Sequence, residues 1–460
     1  MGPAQIRIEG DRLADVTPLF RSAFEAFNEQ SEDGVTVLDV GDKLITPTWV
    51  NSHTHLAMTA FRGIGGLAAR TGNVVEALFY QLEKSLQPGD VRAFARLGAY
   101  DALCTGTGAV WDHYYFGDEV AEAMLDVGLT GVVAPTFQDK GGLGESTESK
   151  AWAALETING ERFASHGIFS ALGPHATDTV TDPLWRRIAR YATEHNLPIH
   201  THFAQSMEEY ARSRTRHGIE PAVRLHRLGI LDAGPAWLLV HSQLVSDIGR
   251  RYFNTERHVL GHCPWSQAQY MFPTDLEPWL TDGFQVAVGS DCGACNDTNN
   301  VQQELRLMSQ GHSYSTHGGD LWQRFRIGAA PAPALRAQRD AVRKPLLPHL
   351  QPDKLLNSVW SVPGRLHPAL NTGVIETGSR ASIAIWDPEH PSLWPCLDPL
   401  QSLVMSDTAP ALWGLMVNGR WQGERGHVQS SLLESDDYRE SLTEARARLN
   451  SLLERAGISM

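Results

Sequence analysis

Short apolar, β-branched runs alternate along this chain with longer stretches in which apolar residues recur at helical spacing. Eight runs stand out: ITPTWVNSHTH (45–55), TGAVWDHYY (107–115), TGVVAPTF (130–137), GIFSALGPH (167–175), LPIHTHFA (197–204), AWLLVHSQ (236–243), HVLGHCPWS (258–266) and FQVAVGSDC (284–292). Such alternation predicts parallel strands joined by crossover helices, and eight strands is the number that closes a barrel. The expected fold is an α/β chain whose body, 48–365, is a (β/α)8 TIM barrel. Most runs carry a histidine or aspartate at or near their C-terminal end, the end where barrel enzymes keep their chemistry, so these tips are expected to converge.

The flanks follow another pattern. Residues 1–47 and 366–425 read as short strands joined by turns, as in TVLDVGDKLITP and LWGLMVNGRWQG, which predicts a small β-sandwich assembled from both ends of the chain. In the final segment, 426–460, Leu442, Ala445, Leu449, Leu452 and Leu453 lie at helical spacing and predict an amphipathic helix laid on the body. No repeat or low-complexity tract interrupts this order.

Composition narrows the class. With 460 residues and 42% hydrophobic content the chain can bury a large core, enough for one large domain and a smaller one. A net charge of -14 argues against a grip on nucleic acid, which needs clustered Lys and Arg. The N-terminus lacks a basic segment followed by an apolar one, and no stretch is long and charge-free enough to span a bilayer, so a cytoplasmic location is expected. Five scattered cysteines are too few for a disulfide framework and read as reduced thiols.

The strongest chemical signal is His53-Thr54-His55, because residues two apart on a strand project to one side and both imidazoles can reach one ion. Alone it is weak. His202, His241 and Asp291 each follow an apolar run that would bury them, and several buried imidazoles and a carboxylate together are best explained by a metal.

As a set, the motifs VNSHTHLAMTAFRG, GPH, PIHTHFAQS, LLVHSQ, VAVGSD and GVIETGSRASIAIWD resemble the amidohydrolase superfamily. Within it the chain resembles the branch of S-adenosylhomocysteine and methylthioadenosine deaminases, guanine-type deaminases and triazine chlorohydrolases. The resemblance implies that His53, His55, His202 and Asp291 are metal ligands, that His241 stands beside the nucleophilic water, and that His175 contacts substrate. No lysine stands at the tip of the fourth run, so the carbamylated-lysine bridge of two-metal relatives is not expected. The implied cofactor is one divalent ion, zinc first and Fe(II), Mn or Co next. The implied reaction is attack of metal-bound hydroxide on an sp2 carbon, with Asp291 moving protons and His241 stabilising the oxyanion.

One departure qualifies this expectation. Deaminases of the branch carry His-x-x-Glu on the fifth strand, whereas this chain reads His202-Phe203-Ala204-Gln205, and an amide cannot act as a general acid. Either Asp291 carries all the proton transfer, or Glu208 or Glu209 swings in, or the leaving group needs no strong acid. Gln205 is therefore a candidate for both catalysis and substrate binding.

Weaker signals surround the core set. Trp265, with His262 and Gln267, and Gln81, with Glu76, Phe79 and Tyr80, are candidate pocket walls; Trp265 and Gln81 are taken as substrate contacts. Asp112 and His113 are expected to support the ligands from behind, and Cys292-Gly293-Ala294-Cys295 to form a tight turn lining the pocket.

The reading is a C–N hydrolase, an aminohydrolase of a small nitrogen heterocycle. Its rivals are displacement of halide or alkylamine, opening of a cyclic amide, and a metal-binding scaffold without turnover. The expected partners are a small-molecule substrate and further copies of the chain in a homodimer or higher homo-oligomer, with neither nucleic acid nor membrane.

Overall fold

In the computed structural model, which describes residues 2–19, 36–64, 75–143, 147–269, 274–311 and 348–458 and a few positions between 326 and 337, all eight apolar runs form strands. Residues 20–35 of the expected N-terminal β piece, and much of 312–347 in the expected barrel span, lie outside the described residues. The chain opens with β1 (Ala4–Glu9), β2 (Arg12–Pro18) and β3 (Leu44–Pro47). There follow β4 (Trp49–His55), β5 (Thr107–Tyr114), β6 (Thr130–Phe137), β7 (Ile168–Ser170), β8 (Gly173–Pro174), β9 (Ile199–Phe203), β10 (Trp237–His241), β11 (His258–His262), β12 (Val286–Val288) and β13 (Asp291–Cys292). The last strands are β14 (Ile383–Trp386), β15 (Leu412–Val417) and β16 (Arg420–Trp421).

The first, fourth and eighth runs each divide in two. At Thr48 the backbone N–H turns away to donate to Ser382 O at 3.2 Å, so β3 joins β14 while β4 joins β5. Between β12 and β13, Gly289 donates to His262 O at 3.0 Å and lies so close to β4 that a Cβ there would sit 2.6 Å from the backbone N of His53. Only glycine permits that approach.

The strands β4 to β13 pair in parallel in two sheets, β13-β4-β5-β6-β7 with β8 on β6, and β9-β10-β11-β12. A parallel bridge from Leu172 to Ile199 joins them at one side. Helices follow the strands, and β4, β5, β6, β9, β10 and β11 are buried along their whole length, as strands covered on both faces must be. Alternation decides which residues face inward: Ala109, Trp111, Val132, Ala134, Leu238 and Val240 share an inner apolar cluster, while Val110, Val133 and Leu239 join the outer one under the helices.

Continuing that parity past Trp111 brings His113 to the inner side, and β9 offers His200 and His202 together. Two local irregularities turn further side chains inward. A register shift between Asn51 and Thr54 lets Val50 join the inner cluster while His53 and His55 still face the interior above it. His241 directly follows inward-facing Val240, and its φ of 74° breaks the alternation.

Both chain ends contribute to an antiparallel sheet, β16-β15-β14-β3, and β1 and β2 form a hairpin beside it. Leu13, Ala381, Ile383 and Met416 form a shared apolar cluster against which Ile6, Val16 and Ile45 pack. The helix Asp436–Arg455 lies against the helix Pro88–Cys104, tied by Arg448 and Arg455 to Asp90 and by Arg96 to Glu444. Among the described residues no helix is long and apolar enough to cross a membrane.

Candidate metal centre

Three imidazoles at the strand tips are held from behind by their Nδ1 atoms. His55 Nδ1 donates to the carbonyl of His113, His202 Nδ1 donates to that of His175 at 2.9 Å, and His53 Nδ1 lies 2.8 Å from His200 Nε2. A carbonyl only accepts, so in the neutral rings of His55 and His202 the proton sits on Nδ1 and the lone pair on Nε2. Those two Nε2 atoms face each other at 3.3 Å. Two lone pairs at that distance repel unless a proton or a metal cation lies between them.

Asp291 closes the group. Its Oδ1 lies 3.5 Å from His53 Nε2 and 3.4 Å from His55 Nε2, and its Oδ2 lies 3.9 Å from His241 Nε2. Two backbone features aim it: Asn51 and Ser290 exchange hydrogen bonds just before it, Nδ2 to Oγ at 2.7 Å and N to Oδ1 at 3.0 Å, and its own φ is 59°. A residue with a Cβ adopts such a φ only when its surroundings over-determine it. Ser266 donates to Oδ2 at 2.6 Å.

Protonation states follow from burial. Desolvation lowers His53 to about 3, against the opposing pull of Asp291, and lowers His241 to about 4. His202, His113 and His200 are likewise held well below the usual value by burial and by the neighbouring imidazoles, His53 and His55 among them. His55 differs: burial lowers it, but the carboxylates of Asp291 and Asp112 win and raise it. Burial alone would raise Asp291, yet the imidazoles of His53 and His55 facing its Oδ1 hold it well below the usual carboxylate range. His53, His202 and His241 are thus neutral around an ionised carboxylate, while His55 beside Asp291 favours its charged form and would give up that proton to a divalent cation, which requires neutral imidazole ligands. His53 Nε2 and both ring nitrogens of His241 are buried without a hydrogen-bond partner, so the residues present fit such an ion.

The sequence-predicted residues His53, His55, His202, His241 and Asp291 thus meet at one place, and His113 joins them. Its ring lies 4.9 Å from that of His202, and among the described residues four sets of side chains offer closely spaced ligand atoms: His53, His55 and Asp291; His53, His202 and His241; His55, His113 and His202; and Asp291, Cys292 and Cys295. Asp112 sits behind, accepting from Leu56 N at 2.6 Å.

An inner cavity of about 60 Å3 opens on this cluster, walled by His55, His202 and Asp291 on one side and by Phe79, Tyr80 and Tyr114 on another. It continues into an outer chamber of about 230 Å3 that also contains Val75, Tyr80, His175 and Gln205. His175 and Gln205 therefore line both spaces, and His175 Nδ1 lies 2.9 Å from Thr179 Oγ1. Gln81 and Trp265 line neither. Gln81 is exposed on the short helix Tyr80–Glu83, whose Tyr80 and Glu83 take the inward side, and Trp265 is 50% exposed on the helix Pro264–Gln269, where Ser266 and Gln267 turn inward instead. Cys292 and Cys295 do line the inner cavity, with their Sγ atoms 2.8 Å apart.

Several residues escaped the sequence reading. His200 had a signal, since 200–202 is a second His-x-His. Ser266, Glu83 and Tyr114 had none: Glu83 is buried beside Tyr114 and raised by desolvation to about 7, yet in sequence it is one glutamate among many. The carboxylate of Glu209 is engaged by Thr177, Ala204 N and Gln205 N, whereas Glu208 is exposed along the outer chamber.

Comparison with known proteins bears on the family and the fold. A model described as "amidohydrolase family" matches residues 44–327. A protein of Thermococcus kodakarensis named 5-methylthioadenosine/S-adenosylhomocysteine deaminase is 27% identical over 424 residues, which cover 91% of this chain and 89% of that one. Among solved structures, an adenosine deaminase from Xanthomonas campestris with bound zinc superimposes with a TM-score of 0.77 at 18% identity, over 98% of this chain and 94% of that one. Zinc-complexed atrazine chlorohydrolase from Arthrobacter aurescens gives a TM-score of 0.75 at 19% identity, over 97% and 95%. The fold is of the TIM-barrel type, with mixed α/β content and parallel sheet.

Proposed function

The chain belongs to the amidohydrolase family, and from that premise we propose that it is a metal-dependent aminohydrolase, removing ammonia from a carbon of a small nitrogen heterocycle. The observation that carries this reading is the pair of Nε2 atoms of His55 and His202, 3.3 Å apart beside an ionised Asp291. One ion would be held by His53, His55, His202 and Asp291; imidazole and carboxylate donors suit zinc. When bound, such an ion lowers the pKa of water to about 7 and makes hydroxide available at neutral pH.

The chain's own groups divide the remaining work. Asp291 accepts a proton from the attacking water and returns it toward the leaving nitrogen, while Ser266 keeps its Oδ2 in place. His241 is neutral near pH 7 and donates a hydrogen bond to the oxygen that gains charge as the carbon becomes tetrahedral. His175 and Gln205, on the wall shared by both chambers, hold the heterocycle. The reading gives Gln81 and Trp265 no place in the cleft.

The same proposal takes the two parallel sheets as one closed (β/α)8 barrel over 48–365. The Leu172–Ile199 bridge and the short step from β12 to β13 support closure. It joins 1–47 and 366–425 in a small β-sandwich, supported by the apolar cluster around Leu13, and sets 426–460 apart as a C-terminal helical segment.

A library of heterocyclic amines that includes methylthioadenosine tests the reaction. With zinc-reconstituted protein, ammonia should equal total product measured by mass. Product without ammonia would establish the second reading, displacement of another leaving group, which Gln205 favours because it brings an amide where a proton donor is expected.

A further inference from the structure

Glu209 lies outside the ligand cluster, yet it joins two loops of the cleft. It is the third residue of the helix Met207–His217, whose cap Ser206 accepts from Glu209 N at 3.1 Å. From there the side chain reaches back along the chain. Its Oε1 accepts from Ala204 N at 3.1 Å, from Thr177 N at 3.2 Å and from Thr177 Oγ1, and its Oε2 accepts from Gln205 N at 2.7 Å. Thr177 follows His175 by two residues, and Ala204 and Gln205 follow His202, so one carboxylate fastens the loop after β8 to the loop after β9.

The arrangement is expensive to build. Ala204 is in the left-handed region with φ 46°, which a residue with a Cβ adopts only under constraint, and burial together with Asp178 pushes the Glu209 carboxyl up to about 7. A helix cap needs none of this, since Ser206 already caps the helix. What the four donors secure is the direction in which Gln205 leaves the strand end, toward the wall shared by the two chambers.

We propose that Glu209 is a positioning residue that holds Gln205 against the substrate. The inference rests on the reading of Gln205 as a substrate contact. Both carboxylate oxygens are turned to the two loops, so Glu209 acts through Gln205 rather than by donating a proton itself.

Glu209→Gln preserves shape but sets an amide NH2 against backbone N–H donors, so at least one contact is lost. On zinc-loaded full-length protein, hydrogen exchange should quicken in the peptide spanning 203–207 and in the loop around Thr177 that the same carboxylate holds, and stay unchanged elsewhere, with zinc content intact. Ammonia release from the heterocycle that wild type turns over should fall about tenfold in kcat/KM. In a Gln205→Ala background the same substitution should change kcat/KM by less than about twofold, since the group it positions is gone. A tenfold loss that persists in that background, or unchanged exchange at 203–207, would overturn the proposal. A Gln205→Ala enzyme with wild-type kinetics would instead overturn the reading of Gln205, and the proposal with it. If Glu209→Gln does not fold, Thr177→Val removes one donor alone and should show a loss of about threefold with the same dependence on Gln205.

Discussion

His202 donates from Nδ1 to the backbone carbonyl of His175 at 2.9 Å, which leaves its Nε2 3.3 Å from Nε2 of His55. The bond ties a proposed ligand to the residue proposed to meet substrate, so the position of the ion and that of the substrate wall are set together.

If His53, His55, His202 and Asp291 hold the ion, His202→Ala should lose metal and activity together. His113→Asn should keep the metal, because His113 has no place in that set. Elemental analysis should give one equivalent in the wild-type protein; two equivalents, or full occupancy in His202→Ala, would contradict the assignment.

Asp291→Asn removes both a ligand charge and the proposed proton carrier, so turnover should fall by more than about a hundredfold. His241→Ala should keep the metal and lose rate, since its Nε2 faces Asp291 Oδ2 at 3.9 Å but is assigned to the oxyanion. Steady-state kinetics beside metal content decides, and normal turnover in either variant would refute the mechanism.

Gln205→Glu tests the leaving group. If proton delivery to departing ammonia is slow, the new carboxyl should raise kcat/KM on aminopurines, pterins or triazines. If the native leaving group departs without a strong acid, native turnover should stay equal or fall, because a charge enters a site built around a neutral amide. No change on matched amino and non-amino substrates would take Gln205 off the proton path.

Away from the centre, His367 is stacked on Phe169 with ring centroids 5.1 Å apart, and burial lowers its pKa from 6.5 to about 4. Between those values the unfolded chain holds the proton and the folded chain does not, so stability falls as pH drops through that window. From about pH 7.5 to about pH 5.5 this residue alone should cost the fold about 1.3 kcal/mol. Equilibrium unfolding of His367→Gln should therefore show a shallower acid decline by about 1 kcal/mol, and an unaltered decline would show that His367 does not titrate as described.

What could be read in the chain is what depends on neighbours in sequence. The eight runs foretold strands because burial on both faces demands continuous apolar residues, and each run contains at least one strand of the structure. His53 and His55 share a side because strand parity is local, and the same rule applied to 200–202 would have found His200, which lies 2.8 Å from His53 Nδ1.

Tertiary structure decided the rest, because the deciding partners are groups that every residue carries or that helical phase conceals. The acceptors that turn Nε2 of His55 and His202 inward are the backbone carbonyls of His113 and His175, 58 and 27 positions away, and a carbonyl leaves no mark in a sequence. Gln81 and Trp265 looked as able to wall a pocket as Tyr80; only the rotation of two short helices gave the inward side to Tyr80 and to Ser266, for which the sequence carried no signal. Glu209 is one of two adjacent glutamates, and its neighbour Glu208 is exposed while Glu209 is buried under four donors from two loops. Residue type sets which chemistry is available, but which atom meets which is a property of the packed chain, where distant backbone groups compete for each lone pair.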